Sequence, residues 1–172
     1  GGADNNYVAA LAVEDGRYGL ALLDVSTGDC YATGSDSLST IEDEISRFGP
    51  AEAIVGPEMP PDTFDGNCMV TPYDETVFEH ELASDLVGEY FGPPERLLAS
   101  DVEVRACGAL LDYAEYTRGG AGVGEDGQLD YLNHLTRYDP REYMVLDAVA
   151  LDSLEVFDRR AVRSPEGLTL VE

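Results

Sequence analysis

Lysine and tryptophan are absent from this 172-residue chain, and its ten basic residues are all arginine. Without lysine no P-loop can be built here, since that motif needs a Lys to reach the nucleotide phosphates. Ten scattered Arg against 35 acids make no basic stripe, although Arg137, Arg141, Arg159, Arg160 and Arg163 concentrate toward the end. Duplex DNA is normally gripped through several Lys or Arg contacts to phosphate, so direct DNA binding by this piece is not expected. Cysteine is scarce too. Cys30, Cys68 and Cys107 are odd in number, widely spaced and lack a Cys-x-x-Cys pair, which points to reduced thiols rather than a disulfide framework or zinc site. No apolar run approaches the roughly 18 residues that a membrane helix needs, and no basic-then-apolar leader is present. The expectation is a cytoplasmic protein with no membrane partner.

What is abundant is acid. The formal net charge is −25, which at ordinary salt would repel itself and weaken the compact state. At molar salt the Debye length shrinks to roughly 3 Å and most of that repulsion is screened. A high-salt cytoplasm is therefore the expected setting. The chain is not a disordered acidic tail, because 44% apolar residues with ten Tyr and five Phe can bury a core. The length suits one domain with an appended piece. With no initiator Met, and with Thr169-Leu170-Val171-Glu172 falling in the middle of an apolar pattern, the expectation is a segment of a longer protein.

The opening predicts a three-stranded antiparallel meander. Tyr7 to Val13 is apolar throughout, Glu14-Asp15-Gly16-Arg17 is a tight turn, and Gly19 to Val25 is a second strand. Ser26-Thr27-Gly28-Asp29 then turns the chain into Cys30-Tyr31-Ala32-Thr33. Ser39 and Glu42 have capping-box spacing, and Ile41, Ile45 and Phe48 share a helical face before Gly49-Pro50. Ala51 to Gly56 follows as a buried strand. A helix between strands implies a crossover and hence a mixed sheet.

Pro57 to Asn67 is a loop and Met69-Val70-Thr71 a short strand. Phe78, Leu82, Leu86 and Tyr90 recur every fourth residue as the buried stripe of a helix whose outer face carries Glu81, Ser84 and Asp85. Ser100 and Glu103 repeat the capping-box spacing ahead of a broad stripe of Val102, Ala106, Ala109, Leu110, Tyr113 and Thr117, ended by Gly119-Gly120. Gly119 to Gly127 reads as a link, Leu129 to Leu135 as a short helix and Tyr143 to Leu146 as a strand or extended connection. The fold class predicted is α/β, an RNase-H-like mixed sheet.

Five segments carry a family resemblance. They are Asn5-Asn6-Tyr7, Leu23-Asp24-Val25-Ser26-Thr27-Gly28, Arg47-Phe48-Gly49-Pro50-Ala51-Glu52, the helix Ala106 to Thr117, and Met144-Val145-Leu146-Asp147-Ala148 followed by Leu154-Glu155-Val156. In this order, and covering Asn5 to about Arg163, the chain resembles the connector domain (domain II) of MutS, the DNA mismatch-recognition ATPase. It departs from the family at Val149-Ala150-Leu151-Asp152-Ser153, where bacterial members carry Thr-Arg-Arg-Asn, and this points to a divergent, salt-loving archaeal branch.

The resemblance implies a connector domain over 5–143 and the start of the core/lever domain over 144–172. It implies no catalytic site, cofactor or metal in this segment, with ATP and Mg bound elsewhere in the parent. The implied role is mechanical coupling between the parent's ATPase/clamp and mismatch-binding parts. The implied partners are a MutL-type protein, the parent's other domains and, through the parent, mismatched DNA. Glu81, Asp85 and Glu89, on or flanking the exposed face of the Phe78 to Phe91 helix, are the residues expected to contact MutL.

Other readings compete with this one. Gly122-Val123-Gly124-Glu125-Asp126-Gly127 matches the dinucleotide fingerprint, but it follows a helix rather than a strand and sets two acids against a pyrophosphate, so a linker is the simpler reading. A metal-dependent nuclease would need clustered carboxylates, for which Asp24, Glu42, Glu44 and Glu52 are the candidates. Fold alone does not confer that activity. His80 and His134 stand without a Ser or Cys partner, on a helix side and near a helix end, where surface or capping roles suffice. A stand-alone acidic protein-binding module is the remaining alternative.

Overall fold

The computed structural model describes residues 6–56, 58–59, 68–117 and 129–140. The chain divides into two units, Gly1–Arg137 and Tyr138–Glu172, and every element named below belongs to the first. The expected glycine-rich link, the strand at Tyr143 to Leu146 and the boundary between 143 and 144 lie outside the described residues.

Strands β1 (Tyr7–Glu14), β2 (Arg17–Asp24) and β3 (Cys30–Ser35) form the expected antiparallel meander, with Leu11 opposite Leu20 and Leu22 opposite Tyr31. Asp15 and Gly16 turn the first hairpin at φ 53° and 76°, the positive values that favour an Asp-Gly pair there. Helix α1 (Leu38–Phe48) follows, and its cap differs from the one the spacing predicts. Ser37, not Ser39, is the N-cap: it is extended, and its Oγ accepts from the Thr40 N–H at 3.3 Å. Ser39 already lies inside the first turn, where its hydroxyl meets that of Ser37. The helix stops as predicted at Gly49, whose N–H donates to the Ile45 carbonyl at 2.8 Å.

The crossover through α1 sets β4 (Glu52–Val55) parallel to β1, and β5 (Met69–Pro72) adds parallel to β4. A 3-10 turn (Glu75–Phe78) leads into α2 (His80–Tyr90), followed by the short α3 (Pro94–Leu97) and the long α4 (Asp101–Thr117). Finally β6 (Leu135–Arg137) pairs parallel to β3, completing a sheet of order β5-β4-β1-β2-β3-β6. This contradicts the helix expected at Leu129 to Leu135. Leu129, Leu132 and Leu135 recur at helical spacing, but they reach the core from an irregular stretch that ends in a strand. The open edge of β3, invisible in the local sequence, supplies the backbone partners.

Because side chains alternate along a strand, the sheet offers two apolar faces. Ala10, Ala12, Ala21, Leu23 and Ile54 join the cluster that contains α2 and α4. Ala9, Leu11, Leu20, Leu22 and Val55 point the other way, toward α1, and are equally buried. There Phe48 packs edge-on to Tyr7, with ring centroids 5.1 Å apart, and beside Tyr31 at 5.7 Å.

Helix α4 can approach the first face closely because β2 carries Gly19. A Cβ at Gly19 would come within 3.0 Å of the Val102 carbonyl and the Glu103 nitrogen. Gly108 does the same on the outer side of α4, where Ala83 of α2 rests. This contact sets the rotation of α2: Ala83 and Val87 are its buried residues. Leu82, predicted to be in the buried stripe, is 43% exposed, and Phe78 packs from the preceding turn instead.

Candidate interaction surface

The side of α2 away from α4 carries the acids. Glu81, Asp85 and Glu89 recur at intervals of four and are all exposed, so they form one stripe along the helix. Glu81 lies in the first turn, where the helix dipole favours negative charge. Glu89 lies near the last turn, which holds no basic residue and where the dipole disfavours it.

Beside the start of this helix the nearby basic side chains already have partners. His80 Nδ1 faces Asp101 of α4, Asp101 also accepts from Arg105 Nε at 2.5 Å, and Arg105 Nη2 lies 3.5 Å from Glu14 at the end of β1. This chain of polar contacts ties β1, α2 and α4 together. Within it, His80 joins the start of α2 to the start of α4.

A second set of acids is held by hydroxyls. Tyr113 and Thr71 both donate to Glu52 of β4, the latter at 2.6 Å. Tyr73 donates to Asp112 at 2.9 Å and Tyr90 to Glu115 at 2.5 Å, while Tyr90 also accepts from the Leu129 N–H. Burial and the bond to Glu52 push the Tyr113 phenol up to about 12. Burial first, and a carboxylate acceptor second, also raise Tyr73 and Tyr90. No sequence rule pairs a tyrosine with a carboxylate dozens of residues away, so these contacts were not legible beforehand. The high tyrosine count was their only signal.

The carboxylates considered for a nuclease are spent separately. Asp24 accepts from the Ser26 N–H at 2.9 Å and the Ser26 hydroxyl at 2.6 Å, so it organises its own turn. Glu44, buried on α1, pairs with Arg47 at 2.7 Å. Glu42 is half-buried on α1, and Glu52 points to the opposite face of the sheet from Asp24. Among the described residues no group of three or more His, Cys, Asp or Glu is placed to hold a metal. His134, expected near a helix end, is instead exposed ahead of β6, and its carbonyl accepts from the Cys30 N–H at 2.9 Å.

Cys30 and Cys107 are free and buried, and burial pushes both thiols up. A cleft of about 110 Å³ lies at the ends of β1 and β4, lined in part by Phe78, Glu58, Glu79 and Arg105. That is well short of the about 300–1,000 Å³ typical of a ligand pocket. The Gly122 to Gly127 motif lies outside the described residues. Among those described, no helix is long and apolar enough to cross a membrane.

The meander, the crossover through α1 and the parallel β4 and β5 define an RNase-H-like α/β domain. A family model for MutS domain II matches residues 6–129, and the chain belongs to that family. Similar proteins include the DNA mismatch repair protein MutS 2 of Haloarcula marismortui, 63% identical over 100% of this chain and 20% of the relative. The DNA mismatch repair protein MutS of Natronomonas pharaonis is 61% identical over 99% of this chain and 19% of its own length. That of Thermus aquaticus is 40% identical over 89% of this chain and 16% of its own length. The chain thus spans about a fifth of the length of its halophilic relatives.

Proposed function

We propose that this chain is the connector segment of a MutS-type DNA mismatch repair ATPase, formed by 5–143 and followed by the start of a core/lever domain over 144–172. It relays nucleotide-driven rearrangement between the parent's ATPase/clamp and its mismatch-binding part. The observation that carries this reading is the family match across residues 6–129. Supporting it, His80, Arg105, Tyr73, Tyr90 and Tyr113 take part in contacts that tie α4 to the sheet and α2, as suits a rigid transmitting body. Mismatched DNA is engaged by the parent, where ATP and Mg bind, rather than by a segment with a net charge of −25. The setting is a high-salt cytoplasm.

A MutL-type protein docks on this segment, with Glu81, Asp85 and Glu89 contributing. Their regular spacing and exposure support the assignment. The test is binding of the MutL-type partner to the full-length parent in molar KCl, with and without charge reversal of all three residues. Weakened binding with unchanged mismatch binding is expected. Unchanged partner binding would remove these residues from the interface.

A further inference from the structure

The cleft of about 110 Å³ at the ends of β1 and β4 has room for one small group rather than a whole ligand. Ala12, Gly56 and Phe78 form its apolar wall. A Cβ at Gly56 would lie 3.4 Å from Cγ and Cδ1 of Phe78, so the missing side chain leaves room beside the ring. The polar part of the lining is Glu58, Glu79 and Arg105.

The charges of this lining do not balance. Arg105 is already answered twice, by Asp101 at 2.5 Å and by Glu14 at 3.5 Å. Glu58 and Glu79 are exposed, and neither carboxylate has a hydrogen-bond or ion-pair partner among the described residues. Glu79 is the N-cap residue of α2, yet its side chain makes no capping bond. Two unpaired carboxylates beside an apolar wall suit a cation that also has an apolar face.

We propose that this cleft is an anchor pocket for a single arginine side chain presented by a protein partner. A planar guanidinium can lie on an aromatic ring and fork onto a carboxylate, and it is more weakly hydrated than an ammonium. Arginine is also among the residues that dominate binding energy when they fill a pocket at an interface. A free ligand would leave most of its surface in water in so small a cleft, whereas a side chain on a partner is held by the contacts around it. At molar salt the attraction between exposed charges fades, and stacking on Phe78 is the part of recognition that remains. The pocket goes beyond the connector role and stands whichever protein supplies the arginine.

The test is NMR titration of this chain in molar KCl with N-acetyl-arginine methylamide, alongside its lysine and citrulline counterparts and free arginine. Saturable movement of the amide signals of Ala12, Gly56, Glu58, Phe78 and Glu79 is expected, with a dissociation constant in the millimolar range that suits one anchor without its partner. The lysine probe should bind at least about threefold more weakly, and the neutral citrulline probe should not saturate. Glu58→Gln/Glu79→Gln should weaken binding of the arginine probe at least about fivefold. Glu95→Gln, at an exposed acid of α3 outside the cleft, should leave it unchanged. No saturation by the arginine probe, equal binding of the lysine or citrulline probe, or unchanged affinity in the double variant overturns the proposal. Tighter binding of free arginine than of the blocked probe would make the cleft an amino-acid site, which overturns it as well.

Discussion

Gly108 of α4 lies directly under Ala83 of α2, so close that a Cβ at Gly108 would fall within 3.0 Å of both the Cα and the Cβ of Ala83. The atoms in the way are backbone and a methyl carbon, neither of which can rotate aside. Gly108→Ala is therefore expected to destabilise the domain by about 1–3 kcal/mol, although alanine is the better helix former by about 1 kcal/mol. Denaturant unfolding in molar KCl checks this, and a stabilised variant would show that α2 does not sit where the structure has it.

The rotation that this contact imposes on α2 separates two leucines that composition treats alike. Leu82 is 43% exposed and Leu111 is 2% exposed. Leu82→Gln should change stability by no more than about 0.5 kcal/mol. Leu111→Ala should cost about 2–5 kcal/mol from lost burial and the cavity left behind. Thermal melts of the two variants side by side measure the difference.

Alkaline titration should reveal the tyrosine–carboxylate contacts. The Tyr113 phenol must keep its proton to donate to Glu52, and its folded value of about 12 stands above the ordinary 10.0. Its contribution is fully present below pH 10 and is lost as pH rises toward 12, because the unfolded chain gives up that proton first. Tyr73 and Tyr90 shift the same way. Tyr113→Phe should cost about 1.5 kcal/mol near neutrality, the low end for a bond to a charged acceptor since both groups are only half-buried. It should also flatten part of the alkaline loss. An unchanged profile in urea melts across this range would mean that the contact with Glu52 contributes nothing.

Salt should act in the opposite sense from its effect on an ordinary surface ion pair. With a net charge of −25, raising KCl from about 0.1 M to about 3 M cuts the Debye length from about 10 Å to under 3 Å and relieves more repulsion than attraction. The melting temperature is expected to rise steadily over that range, and circular dichroism melts would show it. A fall would mean that the Arg–carboxylate contacts outweigh the surplus acid.

The meander was legible because each strand is bounded by its own turn chemistry and its apolar residues are contiguous. The crossover was legible because α1 carries a cap, an apolar face and a stop within a dozen residues. Ser37 was missed in favour of Ser39 because both precede the same apolar face, and only backbone geometry shows which hydroxyl reaches an orphan N–H. The candidate surface was partly legible: spacing placed Glu81 and Asp85 outward, but it gave no hint that His80 would face Asp101 or that Tyr113 would reach Glu52.

Local rules acting over a few residues determined the surplus of acid, the order of most of its strands and helices, and the outward acids of α2. They did so because charge count, turn residues and apolar period are properties of neighbours in the chain. The tertiary structure alone decided that Leu135–Arg137 is a strand rather than a helix, that α2 turns Ala83 rather than Leu82 inward, and that Glu103 receives Arg137. Each of these depends on a surface supplied from far along the chain, the free edge of β3, the bare backbone at Gly108 and the buried start of α4.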